Sequence, residues 1–235
     1  MVTEAVMIKS MVKRAIPPAL LNRVLLTFPA LYRTRLVNYE TNLTVAGQED
    51  LLEAVEAVLR LQGDIIECGS SRCGGSILMA HYMRSRGVMK RIYACDSFQG
   101  FEPAELQRER EAGLTDTPDG AFTSTSLAYV VKKLHRLGLT QVITPVKGFF
   151  NTTLPQFAGH SFCLAFVDCD LEHSVRYCAD TLWPALPSGG LLVFDDYTEA
   201  EYRGARLGIE SFVAAHLDEM ASHGLRRSLY VVRKR

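Results

Sequence analysis

Acidic residues follow several short apolar runs of this 235-residue chain, and their grouping predicts a cation site. Carboxylates that lie close together disfavour one another's charged form unless a cation or hydrogen-bond donors compensate. A single aspartate at such a position can instead cap a helix, but that role does not account for the whole set. The acids concerned are Glu67, Asp96, Asp168, Asp170, Asp195 and Asp196.

Three of these acids suit a magnesium ion. Asp168, Asp195 and Asp196 would offer carboxylate oxygens, the ligands that Mg²⁺ prefers, while leaving positions open for water or substrate. A metal lowers the pKa of a bound hydroxyl, and a nearby base can then accept its proton. Asp170 is the predicted base, because it lies two residues beyond Asp168 and can face a substrate. His173, on the same loop, is the second candidate.

A glycine-rich turn follows the first of these apolar runs. Residues 69–76 read GSSRCGGS, between an apolar run and a predicted helix. Glycines allow close approach of a ligand, and the free N–H groups of a helix start bind carboxylate or phosphate. The spacing does not fit the GxGxxG dinucleotide pattern. Asp96 ends the next apolar run, where an acid accepts hydrogen bonds from ribose hydroxyls. The two features together predict an adenosine-containing ligand with an anionic tail.

The elements that would position these residues alternate along the chain. Apolar periodicity predicts strands and helices in turn, which indicates βαβ units and a mostly parallel sheet with helices on both faces. In such sheets ligands bind beyond the carboxyl ends of the strands. Residues 101–121 have the composition of a loop. The predicted strands are 64–69, 91–96, 141–147, 162–168, 190–196 and 228–233, and the predicted helices are 49–61, 77–86, 126–137, 173–186 and 208–223.

The two ends of the chain give separate expectations. Residues 1–36 contain six Lys and Arg but one acid, Glu4, and two short amphipathic helices are predicted on either side of Pro17-Pro18. This segment is a membrane-surface or partner-docking arm, or a cap packed on the core or at a dimer interface. We divide the chain into an N-terminal helical arm or lid, 1–48, and a catalytic domain, 49–235. About a dozen residues follow the last predicted helix, so a single terminal strand is expected.

Composition excludes several classes of protein. Lys+Arg and Asp+Glu each number 26, and this balance gives no support to a nucleic-acid partner. Apolar residues at 48% exclude global disorder. No apolar stretch reaches the ~18 residues of a membrane span, and no secretory signal is recognisable. The six cysteines lack CxxC spacing, which argues against structural zinc and fits buried thiols in a reducing, cytoplasmic setting.

With these residues in view, the chain resembles the macrocin O-methyltransferase (TylF-type) family of S-adenosylmethionine-dependent enzymes. The resemblance runs from about residue 50 to residue 215 and depends on five segments in the family order. These are GDIIECGSSRCGGS (63–76), ACDSFQGFEP (94–103), VKGFFNTTLP (146–155), FVDCDLEHS (166–174) and LPSGGLLVFDDY (186–197).

The resemblance implies a Rossmann-like class I methyltransferase fold, the cofactors S-adenosylmethionine and Mg²⁺, and methylation of a hydroxyl, typically on a deoxysugar of a natural product. It assigns the metal to Asp168, Asp195 and Asp196 and the base to Asp170. This chain has Glu172, followed by His173, where the family usually has a tyrosine after Asp-x-Asp-Leu, on a loop that borders the acceptor. The implied cofactor contacts are Glu67, Gly69, Ser70, Ser76, Asp96, Ser97, Phe149, Phe150, Asn151 and Asp168.

The resulting hypothesis is methyl transfer to a small-molecule hydroxyl acceptor, one of a vicinal pair on a glycosylated natural product, by a cytoplasmic enzyme that forms a homodimer. A catechol or other planar diol is the alternative acceptor. Asp168-Cys169-Asp170 is also an Asp-x-Asp sequence, which nucleotide-sugar glycosyltransferases use to hold a metal–diphosphate. A third alternative is a non-catalytic cofactor-binding or membrane-docking module.

Overall fold

A computed structural model describes residues 41–235, which alternate between helices and strands as expected. Short 3₁₀ turns at Leu154–Phe157, Trp183–Ala185 and Leu217–Glu219 follow three of the helices. The strands are β1 Asp64–Cys68, β2 Ile92–Asp96, β3 Ile143–Lys147, β4 Phe162–Val167, β5 Leu191–Phe194, β6 Met220–Leu225 and β7 Tyr230–Lys234. The helices are α1 Val45–Val58, α2 Gly74–Ser85, α3 Pro103–Glu111, α4 Leu127–Leu137, α5 Phe150–Thr153, α6 Glu172–Leu182 and α7 Arg203–His216.

The strands form one seven-stranded sheet in the order β3-β2-β1-β4-β5-β7-β6. The first five pair in parallel, whereas β7 pairs antiparallel with both β5 and β6. The chain order reverses between β1 and β4, and a ligand is expected in the crevice outside the strand ends at that point. This order and the mostly parallel pairing confirm the predicted Rossmann-like arrangement.

Helices cover both faces of the sheet. Apolar residues of α1, α2 and α4, among them Leu51, Ile77 and Val130, belong to one buried cluster with the sheet. Val175 of α6 and Ile209 of α7 belong to a second cluster on the other face. Because helices cover both faces, the strands are nearly continuous apolar runs, as β4 and β5 show by being buried at every position.

Local sequence signals determine where several helices begin and end. The hydroxyl of Thr44 accepts the N–H of Gly47 at the start of α1, and Ser126 accepts the N–H of Tyr129 at the start of α4. Helix α4 ends at Gly138, whose φ of 66° is the left-handed conformation that glycine adopts without strain.

The expected loop over 101–121 is wrong in its first half, because residues 103–111 form α3. Glu102 caps this helix and Pro103 occupies its first turn, both of which favour a helix start. The helix has no apolar stripe, since its buried residues are Glu105, Leu106 and Glu109. Periodicity of apolar residues therefore could not reveal it.

The C-terminal expectation is also wrong. The last helix begins at Arg203 and ends at His216, not at residue 223, and the segment after it forms β6. Strands β6 and β7 pair in antiparallel fashion, so the terminal pair is complete rather than a single strand. As an edge strand, β6 exposes most of its side chains, which left no alternating apolar pattern to recognise.

The two helices predicted within residues 1–36 lie outside the described residues, and the boundary after residue 48 stays a prediction. Within residues 41–235, all six cysteines are free and buried, as expected. None of the helices over this range combines the length and the apolar character needed to cross a bilayer.

Candidate functional site

A cavity of about 790 Å³ opens at the carboxyl ends of the parallel strands. Thirteen of the fourteen predicted site residues line it, and only Ser76 does not. Residues separated by more than a hundred positions in the chain therefore meet at one crevice. The thirteen are Glu67, Gly69, Ser70, Asp96, Ser97, Phe149, Phe150, Asn151, Asp168, Asp170, His173, Asp195 and Asp196.

The glycine-rich turn after β1 packs closely against its neighbours. Gly69 has a φ of 90°, and a Cβ at this position would overlap the carbonyl oxygen of Asp168. A Cβ at Gly75 would overlap the carboxylate of Glu67. The backbone of the turn therefore packs directly against Asp168, which requires glycine at 69, and against Glu67, whose carboxylate a side chain at 75 would displace.

Glu67 and Ser76 form a buried pair behind this turn. The Ser76 hydroxyl donates to Glu67 Oε2, and Ser76 itself is fully buried. Burial raises the pKa of Glu67 to about 8 despite the hydrogen bonds from Ser76. Glu67 reaches the cavity, whereas the structure places Ser76 behind it as its hydrogen-bond donor.

Asp96 ties the turn to the end of β2. Its Oδ2 accepts the N–H of Ser71 at 2.8 Å, and its Oδ1 accepts the N–H of Phe98 at 2.6 Å. Burial raises the pKa of Asp96, against the effect of these two bonds. Each carboxylate oxygen has a further lone pair, so the half-buried carboxylate can accept hydroxyl donors from the cavity.

The third part of this wall comes from the β3–α5 junction. Phe149 and Phe150 are half-buried and Asn151 is exposed at the start of α5. Gly148 precedes them and bonds through its N–H to the carbonyl of Asp96 at 2.9 Å. Phe149 and Phe150 therefore line the same cavity as Asp96, on the wall where an adenine ring is predicted.

Asp168, Asp195 and Asp196 converge at the ends of β4 and β5. One carboxylate oxygen from each lies within 4.8 Å of the other two. Burial raises the pKa of Asp168 well above its ordinary value, and the charges of Asp195 and Asp196 raise it further. Burial likewise raises the pKa of Asp195 to about 6.

Asp196 shows most directly that this group suits a cation. It is 7% exposed, and its Oδ2 is buried without a hydrogen-bond partner among residues 41–235. A buried carboxylate oxygen without a donor is costly. Three hard oxygen donors beside such an atom fit a divalent cation such as Mg²⁺.

The two base candidates lie next to this acidic group. Asp170 is half-buried with a φ of 64°, a backbone conformation that few residues other than glycine adopt. Burial, followed by the charges of Asp195 and Glu201, raises the pKa of Asp170 to about 8. His173 is exposed to the cavity, with its ring 6.3 Å from that of Tyr177.

Sequence reasoning missed the aromatic residues on the opposite wall. The ring centroids of Phe101 and Phe122 are 5.2 Å apart, and that of Tyr202 lies 6.0 Å from Phe101. Phe122 is 38% exposed and has a φ of 60°. Phe101 and Tyr202 lie close to recognised segments, but no local pattern identifies Phe122, because its place depends on a loop conformation.

Comparison with known proteins agrees with this geometry. The sequence model of the family described as macrocin O-methyltransferase (TylF) matches residues 41–220. A tetracenomycin-C rhamnoside 4'-O-methyltransferase of Streptomyces olivaceus is 30% identical over 156 residues, which cover 63% of this chain and 59% of that protein. The mycinamicin III 3''-O-methyltransferase of Micromonospora griseorubida is 28% identical over 155 residues, 63% of this chain and 61% of that protein.

The matched segment thus spans about three fifths of the length of these relatives. Among solved structures, the O-methyltransferase NovP superposes with a TM-score of 0.69 at 21% identity, covering 83% of this chain and 82% of that one. That likeness concerns the fold. The family match extends over well more than half of the sequence. The chain belongs to the macrocin O-methyltransferase (TylF) family.

Proposed function

We propose that this chain transfers the methyl group of S-adenosylmethionine to a hydroxyl of a sugar on a natural product, with Mg²⁺ bound by Asp168, Asp195 and Asp196. The observation that carries the proposal is the arrangement of the cavity. A wall suited to an adenosine lies beside a group of three carboxylates to which residues 41–235 supply no cationic partner. Family membership argues against the nucleotide-sugar alternative.

The β1–β2 side of the cavity has the features that the cofactor requires. Asp96 has lone pairs for the ribose hydroxyls, Phe149 and Phe150 offer apolar surface to adenine, and the turn at Gly69 borders the cavity on the side where the methionine part would lie. S-adenosylmethionine, when bound, supplies an electrophilic methyl group. The sulfonium charge suits the acids around it, because opposite charge favours their ionised form.

The acidic side has the features that the chemistry requires. A divalent cation at the three carboxylates would lower the pKa of an acceptor hydroxyl and fix its orientation. Asp170 accepts the hydroxyl proton on a carboxylate oxygen, because it lines the cavity two residues beyond Asp168. Orientation of the hydroxyl and the methyl group accounts for much of the acceleration, up to ~7–11 kcal/mol in well-oriented systems.

The acceptor class follows from the relatives and from the opposite wall. The two relatives named above are methyltransferases of a rhamnosylated tetracenomycin and of mycinamicin III. The exposed edge of Phe122 gives this wall an apolar surface against which a sugar or its aglycone can pack. A vicinal diol would offer the metal two oxygens. A cytoplasmic location and a homodimer stay predictions.

The direct test is methyl transfer from labelled S-adenosylmethionine to a panel of deoxysugar glycosides and catechols. We expect product with glycosides that have a vicinal diol, and binding of S-adenosylhomocysteine by calorimetry in the absence of acceptor. Transfer to catechols alone would move the acceptor to the planar-diol class. Absence of S-adenosylhomocysteine binding would contradict the proposal as a whole.

The metal and the base are tested separately. Chelation with EDTA and Asp195→Ala should each abolish transfer, and Mg²⁺ should restore only the chelated wild-type protein. Asp64→Asn is the matched control, because Asp64 begins β1 at the opposite end of the sheet and pairs with His160 at 3.1 Å. Asp170→Asn should lower kcat about 10²–10⁴-fold, and a larger loss in His173→Ala would transfer the base role to His173.

A further inference from the structure

Helix α3 buries two glutamates to which the proposed chemistry assigns no role, and one of them, Glu105, also borders the cavity. Glu105 and Glu109 are each 4% exposed, whereas Glu111 of the same helix is exposed. Burial of a carboxylate is costly unless hydrogen bonds compensate. Their partners therefore indicate what these residues do.

Both carboxylates bind the first turn of α6. Glu109 Oε1 accepts the N–H of Glu172 at 2.6 Å, and Glu105 Oε1 accepts the N–H of Ser174 at 2.6 Å. Glu105 Oε2 also accepts the Ser174 hydroxyl at 2.7 Å. Helix α6 begins after Leu171, which has no side chain that can cap it. Residues from more than sixty positions away thus satisfy the free N–H groups of this helix, with charges that suit its positive end.

Glu109 also reaches the start of α7. A Cβ at Gly204, in the first turn of α7, would overlap the Glu109 carboxylate. The neighbouring Arg203 donates its N–H to the carbonyl of Leu114 at 3.2 Å, just beyond α3. One carboxylate therefore lies against the first turns of both α6 and α7.

These two helices begin directly after the loops that bear the acidic group. Asp168 and Asp170 precede α6 by a few residues, and Asp195 and Asp196 lie in the segment that leads to α7. The left-handed backbone at Asp170 and at Asp196 is unfavourable for aspartate unless the surrounding structure holds it. Carboxylates that fix the first turn of α6 would hold the loop at Asp170 in this conformation.

We infer that Glu105 and Glu109 are positioning residues that hold the loop of Asp168 and Asp170, and through Gly204 the start of α7, in the geometry of methyl transfer. The inference depends on the proposed function. Neither glutamate contacts the reacting atoms in this assignment. Their effect is on the placement of Asp170 relative to the acceptor hydroxyl, where a displacement of about 1 Å can cost ~10²-fold in rate.

The test compares Glu105→Ala and Glu109→Ala with Glu111→Ala as the matched control on the same helix. We expect kcat to fall about 10–100-fold in the first two, with KM for S-adenosylmethionine and affinity for S-adenosylhomocysteine within about twofold of wild type. The control should retain wild-type kcat. Hydrogen–deuterium exchange of the chain without ligands should become faster in the first turn of α6 and not in α2.

Two further variants keep the test decisive if an alanine variant folds poorly. Glu109→Gln keeps the acceptor for Glu172 and removes charge from Oε2, which has no partner among the described residues. It should retain kcat within about threefold. Gly204→Ala favours helix formation yet displaces the Glu109 carboxylate, and should lower kcat as Glu109→Ala does.

The possible results separate the two proposals. Wild-type kcat and unchanged exchange in the alanine variants would overturn the inference while leaving the proposed function intact. Faster exchange throughout the chain, with a loss of cofactor affinity, would mean that Glu105 and Glu109 contribute only to general stability, and would also overturn the inference. No transfer by the wild-type protein to any acceptor would instead contradict the proposed function, and the exchange data alone would then decide whether the glutamates hold α6.

Discussion

Asp50 and the aspartates at the strand ends are buried acids with opposite surroundings. Asp50, in α1, is 1% exposed and accepts Arg227 Nη1 at 2.6 Å and the N–H groups of Ser228 and Leu229 at 2.8 and 3.1 Å. Burial raises the pKa of this carboxyl, but these donors outweigh it and hold the pKa below its ordinary value. Asp50 thus links α1 to the turn before β7.

Asp168, Asp195 and Asp196 have the opposite balance. Burial raises the pKa of Asp196 well above its ordinary value, and the charges of Asp170 and Asp195 raise it further. Within residues 41–235, no guanidinium or ammonium group lowers the pKa of a carboxyl of this trio. Asp50 and Asp196 are both buried, so the presence or absence of a cationic partner distinguishes the structural acid from the one that suits a cation.

The largest effect is expected when the trio is changed. Asp196→Asn should lower kcat by at least ~10³-fold, about 4 kcal/mol of transition-state stabilisation. The same change removes a charge that the fold holds unfavourably, and without added metal it should raise the melting temperature by a few degrees, about 1 kcal/mol. Mg²⁺ should then stabilise the wild-type protein and not the variant.

The measurements are kinetics and thermal melts at several Mg²⁺ concentrations. Asp64→Asn again serves as the control, since its carboxylate is remote from the strand ends. Equal stabilisation of wild type and Asp196→Asn by Mg²⁺ would remove Asp196 from the ligand set.

A smaller effect, on stability alone, is expected at Asp50. Asp50→Ala leaves the buried N–H of Leu229 without an acceptor and should cost about 2–4 kcal/mol in the free energy of unfolding. Because the folded pKa of Asp50 is lower than its unfolded value of 3.8, its contribution is complete above that pH and is lost as the pH falls through the folded value. Urea titrations at pH 7 and pH 3 should show a smaller difference between variant and wild type at the lower pH. A difference that is independent of pH would contradict this account.

The comparison also shows how far the sequence predicts the site. Acids that end a strand are recognisable because strand and acid are adjacent in the chain, and all six acids predicted in this way line the cavity. Partners from distant segments are not recognisable. Nothing local to Asp50 indicates Arg227, and nothing local to α6 indicates Glu105, because these pairs form only when the chain folds.

Helix α3 is the clearest case. A helix is recognised by apolar residues at helical spacing, but α3 buries glutamates, and its acidic composition favoured a loop. The prediction missed the terminal hairpin for a related reason, because β6 lies at the sheet edge and Met220 is its single buried residue. The periodicity of apolar residues therefore misses elements that contact solvent, or one another, through polar groups.

Lys133 extends the comparison to a buried cation and gives the smallest predicted effect. It lies in α4, is 1% exposed, and donates to the carbonyl of Arg72 at 2.6 Å in the turn after β1. Ser71 and Cys73, on either side of Arg72, have φ values of 44° and 57°, so this turn needs support from its surroundings. Lys133 supplies such support through its hydrogen bond to the Arg72 carbonyl.

Lys133→Met should therefore weaken S-adenosylhomocysteine binding about 10-fold, close to 1.4 kcal/mol. The melting temperature without ligand should change little, because methionine fills a similar volume without the desolvation cost of an ammonium group. Lys132→Met is the matched control, because Lys132 is exposed on the same helix. Calorimetric titration of both variants measures the difference. Equal affinities would mean that the turn after β1 keeps its geometry without Lys133. A fall in melting temperature as large as that of Asp50→Ala would instead show that Lys133 is a structural charge. Loss of a structural partner destabilises the protein without ligand, whereas loss of a residue that shapes a binding site is measured mainly as weaker ligand binding.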